Sequence, residues 1–344
     1  MEPVTHALAS LAIARTGQRK LPRFGAVMLV TAGVAPDLDF IGYLGGAGAF
    51  LRLHRTALHC LLGGAVVAIV TAWAFRALDR KFPQPDPRKS GLGPLEWRAA
   101  LAVCAIGVAG HLALDLVTGS GVQLLWPFYG RWFGWPLGTN LDPWILLLLI
   151  AGLLLPELFR LVGEEIGARK KGAKRGGIAA GLTLVLLAAY FGARADLRGG
   201  AVNLLLSREY HRREPLSANA YPVSDTPLRW RGVVVTDNTL EAVEVPVGSP
   251  EDFDPNDSLS QYKPGDSPAL RAVREDPATN LFLKYARDPL ATVERREDGY
   301  RVEVRDLRFA RGDLGAGNIF LRIDLDASAR ITKKEFRFAS SPGD

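Results

Sequence analysis

The chain has 344 residues, enough for two domains, with a formal net charge of +6 and a mean hydropathy of only +0.08. This average hides a division, because residues 1–193 hold the long apolar runs while residues 194–344 are rich in charge, Pro and Asp. A basic chain suggests nucleic acid as a partner, but many Lys and Arg residues cluster at 15–23, 76–89 and 169–175, beside apolar runs. Membrane orientation explains such clusters better than phosphate binding, so no nucleic-acid partner is expected.

The first predicted elements are membrane helices. A span needs about 20 mostly apolar residues, because the hydrocarbon core is about 30 Å thick and each helical residue rises about 1.5 Å. Two short stretches, 4–14 and 24–35, are predicted to form a helical hairpin that enters the membrane. The stretches that qualify or nearly qualify as full spans are 57–78, 97–117, 143–162 and 176–193. The alternative is a soluble helical bundle, which the apolar runs at 144–150 and 176–190 disfavour.

The basic clusters predict the orientation of these helices. If all three lie in the cytoplasm, the helices cross in a consistent alternation, as the positive-inside tendency requires. The other helix ends then meet at the outer face of the cytoplasmic (inner) membrane. Everything after about residue 194 is therefore expected to be extracytoplasmic.

Residues 194–344 are predicted to form a small, mostly-β (α+β) soluble domain. A helical stretch is expected near 267–287, and the Asp/Pro/Ser-rich segment 248–268 is expected to be a loop. The predicted strands are 231–236, 240–246, 291–297, 300–308, 318–326 and 330–338. The predicted fold class is thus an α-helical polytopic membrane domain, with about four full spans plus the N-terminal hairpin, followed by this domain.

The outer ends of the predicted helices carry many ionisable side chains. Ionisable groups at membrane depth are costly, so each usually pairs with another group, a metal or internal water. A single His on an apolar helix is more often a hydrogen-bonded structural residue, so the convergence of several is what indicates a metal site. The predicted metal ligands are His6, Asp37, Asp39, His54, His59, His111 and Asp115.

Sequence spacing shows which of these residues can share one face of a helix. His111 and Asp115 are four residues apart, so both project from one face of a helix and can share a cation, or the Asp can orient the imidazole. His54 and His59 are five apart and cannot share a helical face. We expect His54 in the loop that enters the third helix and His59 in its first turn.

The Pro36 region is predicted to turn two carboxylates towards one site. Pro36 lacks a backbone donor and is expected to push Ala35 away from helical geometry, which ends the second short helix. Asp37 and Asp39 then follow in a loop. The alternative role for Asp37 is an N-cap.

Seven N and O donors are too many for one tetrahedral Zn²⁺. They suit two divalent ions, or one ion with supporting carboxylates and a proton-transfer group, with Zn²⁺, Mn²⁺ and Mg²⁺ as candidates. Cys60 and Cys104 lie inside apolar segments and are expected to be core residues, which leaves no thiolate for a soft metal. Arg55 would suit a substrate phosphate or carboxylate, or else a lipid headgroup or a salt bridge to an Asp. Asp142 precedes Pro143 as an N-cap would, so a site role for it stays open.

The motifs resemble, in order, those of the YdjM-like family of membrane-bound predicted metal-dependent hydrolases, which includes YfhP-type proteins. The resemblance covers about 1–160, and the tail resembles the soluble extension of YfhP-type members more weakly. Thr56 and Leu58 depart from the family's frequent His-Arg-Gly-x-Thr-His form, which removes a possible supporting hydroxyl. The matching motifs are Thr5-His6, Ala35-Pro36-Asp37-Leu38-Asp39, His54-Arg55 with His59, His111 with Asp115, and Leu125-Trp-Pro-Phe128 with Arg131.

The site and the resemblance together predict a membrane-embedded metal-dependent hydrolase. It would act at the outer leaflet on a phosphoester or lipid-linked substrate, with His6 as a ligand or proton-transfer group and Arg55 as a substrate clamp. The alternative is a metal-binding transporter or scaffold without hydrolytic activity. A transporter needs a polar path to the cytoplasmic face, and helices 57–78 and 143–162 have almost no ionisable residues in their inner halves.

Overall fold

The computed structural model of the chain divides into two compact units. It describes residues 1–17, 21–83, 93–165, 172–248, 253–309 and 319–338. The first unit comprises Met1–Asp39, Arg55–Trp135 and Leu141–Gly192. The second comprises Phe40–His54, Pro136–Asn140 and Ala193–Asp344.

The first unit is built from helices. A 3₁₀ helix, Ala35–Gly45, follows the second helix and leads into the short helix α3 (Gly46–Leu53), which belongs to the second unit. The longer helices are α1 (Pro3–Thr16), α2 (Gly25–Val34), α4 (Leu61–Lys81), α5 (Trp97–Leu116), α6 (Pro143–Glu165) and α7 (Gly172–Leu206). Within the described ranges, five stretches are long and apolar enough to cross a membrane: Gly25–Leu53, Leu61–Lys81, Trp97–Leu116, Pro143–Val162 and Gly176–Leu206.

Helices α2 and α5 cross closely because glycine occupies the contact. A Cβ at Gly107 would lie 2.5 Å from the carbonyl oxygen of Leu29 and 3.1 Å from the backbone nitrogen of Gly33. Real Cβ atoms do not approach a backbone so closely, so only glycine permits this crossing. His111 lies about one turn beyond Gly107 and is thereby brought against the end of α2.

The helices bury small and medium apolar residues and leave other apolar residues outside. One buried cluster joins α1, α2, α4 and α5, with Met28, Ala32 and Cys104 at its centre. The outward faces are apolar too: Trp73 is 66% exposed and Phe159 is 73% exposed. Large exposed apolar side chains on membrane-length helices are what a lipid-facing surface requires.

The second unit contains two four-stranded antiparallel sheets, so the predicted fold class is confirmed. Helices α8 (Pro268–Glu275) and α9 (Pro277–Tyr285) lie between the sheets in sequence. The first sheet has the order β1 (Ser217–Pro222), β2 (Arg229–Val235), β3 (Thr239–Pro246), β4 (Leu259–Tyr262). The second has the order β5 (Pro289–Arg296), β6 (Gly299–Asp306), β7 (Ile319–Asp326), β8 (Ile331–Phe338).

Two sequence predictions about these elements were wrong, and one strand was missed. The final helix was expected to end at 193 but continues to Leu206, because Ala201 and Leu205 are buried in the core of the second unit. Strand β4 lies inside the segment expected to be a loop, where it pairs with β3. Strand β1 was not predicted, and its hydrogen-bonded pairing with β2 holds it in place.

Candidate metal centre

Five His and Asp side chains of the first unit converge at the ends of its helices. His6 lies in the first turns of α1, Asp37 in the 3₁₀ helix after α2, and His59 just before α4, while His111 and Asp115 share a face of α5. All five are buried; Asp37, at 6% exposure, is the least so. Their ligand atoms form two overlapping groups, each within 4.8 Å, that share His111: one holds His6 and Asp115, the other Asp37 and His59.

Asp115 lies within 3.4 Å of all three histidines. Its Oδ1 is 3.4 Å from His6 Nε2, and its Oδ2 is 3.3 Å from His59 Nε2 and 3.4 Å from His111 Nε2. Asp37 repeats this division, with Oδ2 4.0 Å from His6 Nε2 and Oδ1 3.6 Å from His59 Nε2 and 3.9 Å from His111 Nε2. Each carboxylate thus presents one oxygen to His6 and the other to the remaining two histidines.

These separations fit donors around a cation. Donors bound to one ion at about 2.0–2.2 Å lie roughly 3–4 Å from one another. Each carboxylate also turns its two oxygens to different histidines, an arrangement that can bridge two adjacent ions. The buried His and Asp donors could therefore hold a divalent ion.

Many of the polar atoms in this cluster have no hydrogen bond. Within the described part of the chain, His6 Nδ1 and Nε2, both oxygens of Asp37, His111 Nε2 and Asp115 Oδ2 make none. Buried polar atoms are normally hydrogen-bonded, and leaving one unpaired costs about 1–3 kcal/mol. Several lone pairs that face one another unpaired indicate a position for a cation.

Two of the histidines are oriented by neighbouring groups. His111 Nδ1 lies 2.8 Å from the carbonyl oxygen of Gly33, and because a carbonyl only accepts, Nδ1 is the donor and Nε2 is directed towards the carboxylates. His59 Nδ1 lies 3.1 Å from Asp39 Oδ2, which also accepts a 2.8 Å hydrogen bond from the backbone N–H of Arg55. Asp39 thus occupies the place of a carboxylate that orients a metal-binding imidazole.

Arg55 is buried beside the cluster. Its Nη2 lies 3.2 Å from Asp115 Oδ1, and its Nη1 donates to Thr118 Oγ1 at 2.7 Å. The Met1 ammonium also contacts Asp115 Oδ1. The backbone of Arg55 has φ +59°, a left-handed conformation that is strained for a residue with a side chain. Of the roles open from the sequence, the structure therefore shows the salt bridge to an Asp; the clamp role stays a prediction.

Two other residues that the sequence suggested for the site, His54 and Asp142, make contacts other than those of the cluster. His54 belongs to the second unit, where its ring centroid is 4.4 Å from that of Phe50 and 4.7 Å from that of Phe40. Among the described residues, neither group of candidate ligand atoms includes it. Asp142 accepts hydrogen bonds from the backbone N–H groups of Trp144 and Ile145 at 3.1 and 3.3 Å, as an N-cap does.

The local backbone departs from three expectations. Ala35 keeps right-handed helical dihedrals, φ −56° and ψ −32°, and Asp37 and Asp39 lie in a 3₁₀ helix rather than a loop. The chain tightens at Pro36 without leaving the helical region, because 3₁₀ and α dihedrals are close. His59 precedes the first turn of α4, which begins at Leu61 and is capped by the Cys60 sulfur.

A family model described as YdjM inner membrane protein matches residues 1–198, more than half of the chain. The chain belongs to the YdjM inner membrane protein family. No curated protein and no solved structure matches it. The family match covers all five residues of the cluster, and together with the apolar helices it makes this a multi-pass membrane protein of the inner membrane.

Some groups around this YdjM-family cluster had no sequence signal. The Gly33 carbonyl is a backbone atom that becomes visible only once α2 and α5 cross. Thr118 follows Asp115 by three residues and accepts from Arg55 while donating to the Asp115 carbonyl at 2.8 Å. A threonine after an apolar helix is too common to single out.

Proposed function

We propose that the protein is a metal-dependent hydrolase of the inner membrane that acts on a phosphoester or lipid-linked substrate. The observation that supports this most is the buried cluster of three imidazoles and two carboxylates, in which ring nitrogens of His6 and His111 and oxygens of Asp37 and Asp115 make no hydrogen bond within the described part of the chain. A divalent ion held there would lower the pKa of a bound water and polarise the scissile oxygen of a substrate.

The residues of the cluster would bind the ion, orient the imidazoles or transfer a proton. Asp37, His59, His111 and Asp115 hold the ion, with Asp39 and the Gly33 carbonyl fixing the two imidazoles. Neither ring nitrogen of His6 makes a hydrogen bond in the described part of the chain, and its ring stacks on His111 at 3.7 Å. His6 can therefore offer Nε2 to the ion and exchange a proton through Nδ1.

We propose that Arg55 stabilises negative charge on the substrate. Its guanidinium is fixed by Asp115, Thr118 and the carbonyl oxygen of Gly121, so a substrate anion that reaches the ligands also comes near this positive charge. Such a cation stabilises negative charge that develops on a phosphoryl or acyl oxygen. Lysine would be a poor replacement, because it cannot reproduce the planar set of donors.

The second candidate is a metal-binding transporter or scaffold without hydrolysis. The deep burial of the site favours the scaffold, since His59 and Asp115 are 0% exposed and a substrate needs a path to them. Structural metal sites are closed, whereas catalytic sites keep an open position. Hydrolysis therefore requires an opening of the first unit that admits substrate.

We further propose that the site faces the outer leaflet and that the C-terminal unit is extracytoplasmic. The basic residues at the other helix ends, such as Arg80 and Lys81, support a cytoplasmic position for those ends. Exposed aromatic residues follow the end of α5, with Phe128 87% exposed, as at a membrane interface. An alkaline-phosphatase reporter fused after Asp344 should be active and one fused after Lys81 inactive; the reverse would place the site at the cytoplasmic face.

Hydrolysis can be tested on purified full-length protein with a panel of phosphodiesters, phosphomonoesters and lipid esters. We expect a metal-dependent activity that is lost on chelation, restored by the metal, and absent in Asp115→Asn. His54→Ala is the matched control and should keep the activity, because His54 lies in the second unit. If the metal-loaded protein hydrolyses no member of the panel, the scaffold or transporter function is favoured instead.

A further inference from the structure

The C-terminal unit contains a half-open cavity of about 340 Å³. Its walls come from β3, α8, α9, β5 and β6, so both sheets and both short helices contribute to it. The volume lies at the lower end of the roughly 300–1,000 Å³ typical of small-molecule sites. One small ligand, or one chain of a larger one, would fill it.

The body of this cavity is aliphatic. Leu270 and Val273 from α8, Leu290 from β5 and Val304 from β6 line it and are themselves at most 5% exposed. Leu283 of α9 lies at the rim and is 40% exposed. A surface of this kind gains free energy by covering an alkyl chain.

The polar side chains in the lining are all hydrogen-bond donors. Lys263 is held in place because its Nζ donates to the carbonyl oxygens of Thr236 at 2.7 Å and Asp237 at 3.2 Å, which leaves a third N–H. Arg274 adds a second positive charge. Among the described residues that line the cavity there is no carboxylate to neutralise either cation.

Thr279 supplies an independent indication of a ligand. It lines the cavity, is 3% exposed, and its Oγ1 makes no hydrogen bond within the described part of the chain. A buried hydroxyl without a partner is costly, and an acceptor on a bound molecule would relieve that cost.

We propose that this cavity binds a single-chain amphiphile with an anionic head. The alkyl chain covers the aliphatic wall, and the head accepts hydrogen bonds from Lys263, Arg274 and Thr279. Charge complementarity selects an anion, and the volume selects one chain over two. This binding site is independent of the metal centre and of the hydrolytic function.

The test uses full-length protein in nanodiscs of zwitterionic lipid and a medium-chain fatty acid that carries a diazirine. After irradiation, mass spectrometry should find adducts concentrated on peptides that cover residues 267–290. Leu283→Trp, a change at the exposed rim, should block the cavity and reduce the adducts. Arg274→Glu should reduce them roughly tenfold, the equivalent of one charge-assisted hydrogen bond. Lys284→Glu is the matched control, since Lys284 is exposed on α9 and does not line the cavity, and it should leave the yield unchanged.

Three results would overturn the proposal. The first is equal labelling of Leu283→Trp and wild type. The second is equal labelling by an alkylammonium probe of the same chain length, which would show that the head charge is not recognised. The third is labelling of these peptides by a photoreactive leucine-rich peptide but not by the fatty acid, which would make the cavity a peptide site.

Discussion

Each unit of the protein buries a cluster of charged and polar side chains, but the two clusters are satisfied in opposite ways. In the C-terminal unit, Asp306 accepts from Arg308 Nε at 2.8 Å and from the backbone N–H of Arg287 at 2.9 Å. Asp288 accepts from the Tyr221 hydroxyl at 2.5 Å and from Asn219 Nδ2 at 3.0 Å. In the helical unit, carboxylates and ring nitrogens instead face one another across 3.3–4.0 Å.

The electrostatics of the C-terminal cluster agree with a closed network. Burial alone would lower the pKa of Arg308, but the Asp306 carboxylate outweighs burial and the pKa is raised. Burial raises the pKa of Asp288, and the Tyr221 hydroxyl offsets part of that rise. Every charge there has a protein partner, so the cluster is complete without a ligand.

The comparison shows that burial of polar residues does not by itself mark a site. A buried carboxylate that accepts from fixed protein donors belongs to the fold, whereas buried lone pairs directed at one another could hold a cation. The two clusters should therefore respond differently to mutation and to chelation.

The largest expected effect is on the stability of the hydrogen-bonded network around Asp306 and Arg308 in the C-terminal unit. Asp306→Ala leaves Arg308 buried without its carboxylate, so the free energy of unfolding of the C-terminal unit should fall by about 3–5 kcal/mol. Hydrogen exchange of the β5 and β6 amides measures this loss, and metal content should not change. Asp324→Ala is the control, because its partner Arg301 is partly exposed and such pairs contribute at most about 1 kcal/mol. A similar loss in both variants would show that the network has no special weight.

Metal removal should destabilise only the helical unit, which contains the His/Asp cluster. A ligand at about 100 times its dissociation constant stabilises the folded state by about 2.7 kcal/mol. Chelation of metal-loaded protein should therefore lower the protection of amides in α4 and α5 and leave those in α8 and α9 unchanged. If protection falls equally in both units, the ion is not bound at the helical cluster.

A smaller effect is expected at the group that orients His59. Asp39→Asn keeps the shape of the side chain but weakens its hold on the imidazole, so the metal dissociation constant should rise about 10–100-fold. Titration with a competing chelator measures this change. Full occupancy should return at high metal concentration; complete loss of binding would make Asp39 a direct ligand, as the sequence first suggested.

The smallest effect is expected at Asp142. Asp142→Ala removes the cap of α6 and should cost about 1 kcal/mol of stability, visible as faster exchange in the first turn of α6. The metal affinity should remain that of wild type. A change in metal affinity would place Asp142 in the site rather than at the helix end.

The sequence predicted the parts of the structure that depend on pattern and composition. The runs around Trp144 and Leu182 indicate membrane helices by their length and composition, and the predicted strands 291–297 and 300–308 correspond to the β5–β6 hairpin of the structure. Residues such as His6 and His111 could be picked out because ionisable groups are rare in apolar helices.

What failed depends on contacts between distant residues. Strand β1 contains no β-branched residue, so its sequence gives a weak strand signal, and its pairing with β2 holds it in place. His54 and His59 are histidines only five residues apart, yet the His54 ring packs against Phe40 and Phe50. Residue type and spacing could not separate these two histidines. What separates them is the fold, which places His54 in the second unit and His59 in the first.

Metal analysis of the purified full-length protein tests the central claim most directly. Wild type should retain at least one divalent ion per chain after dialysis. His111→Ala should lose it, because Nε2 of His111 belongs to both groups of donors. His54→Ala should retain it. Equal loss in the two variants, or wild-type protein that binds no divalent ion when one is supplied, would contradict the account.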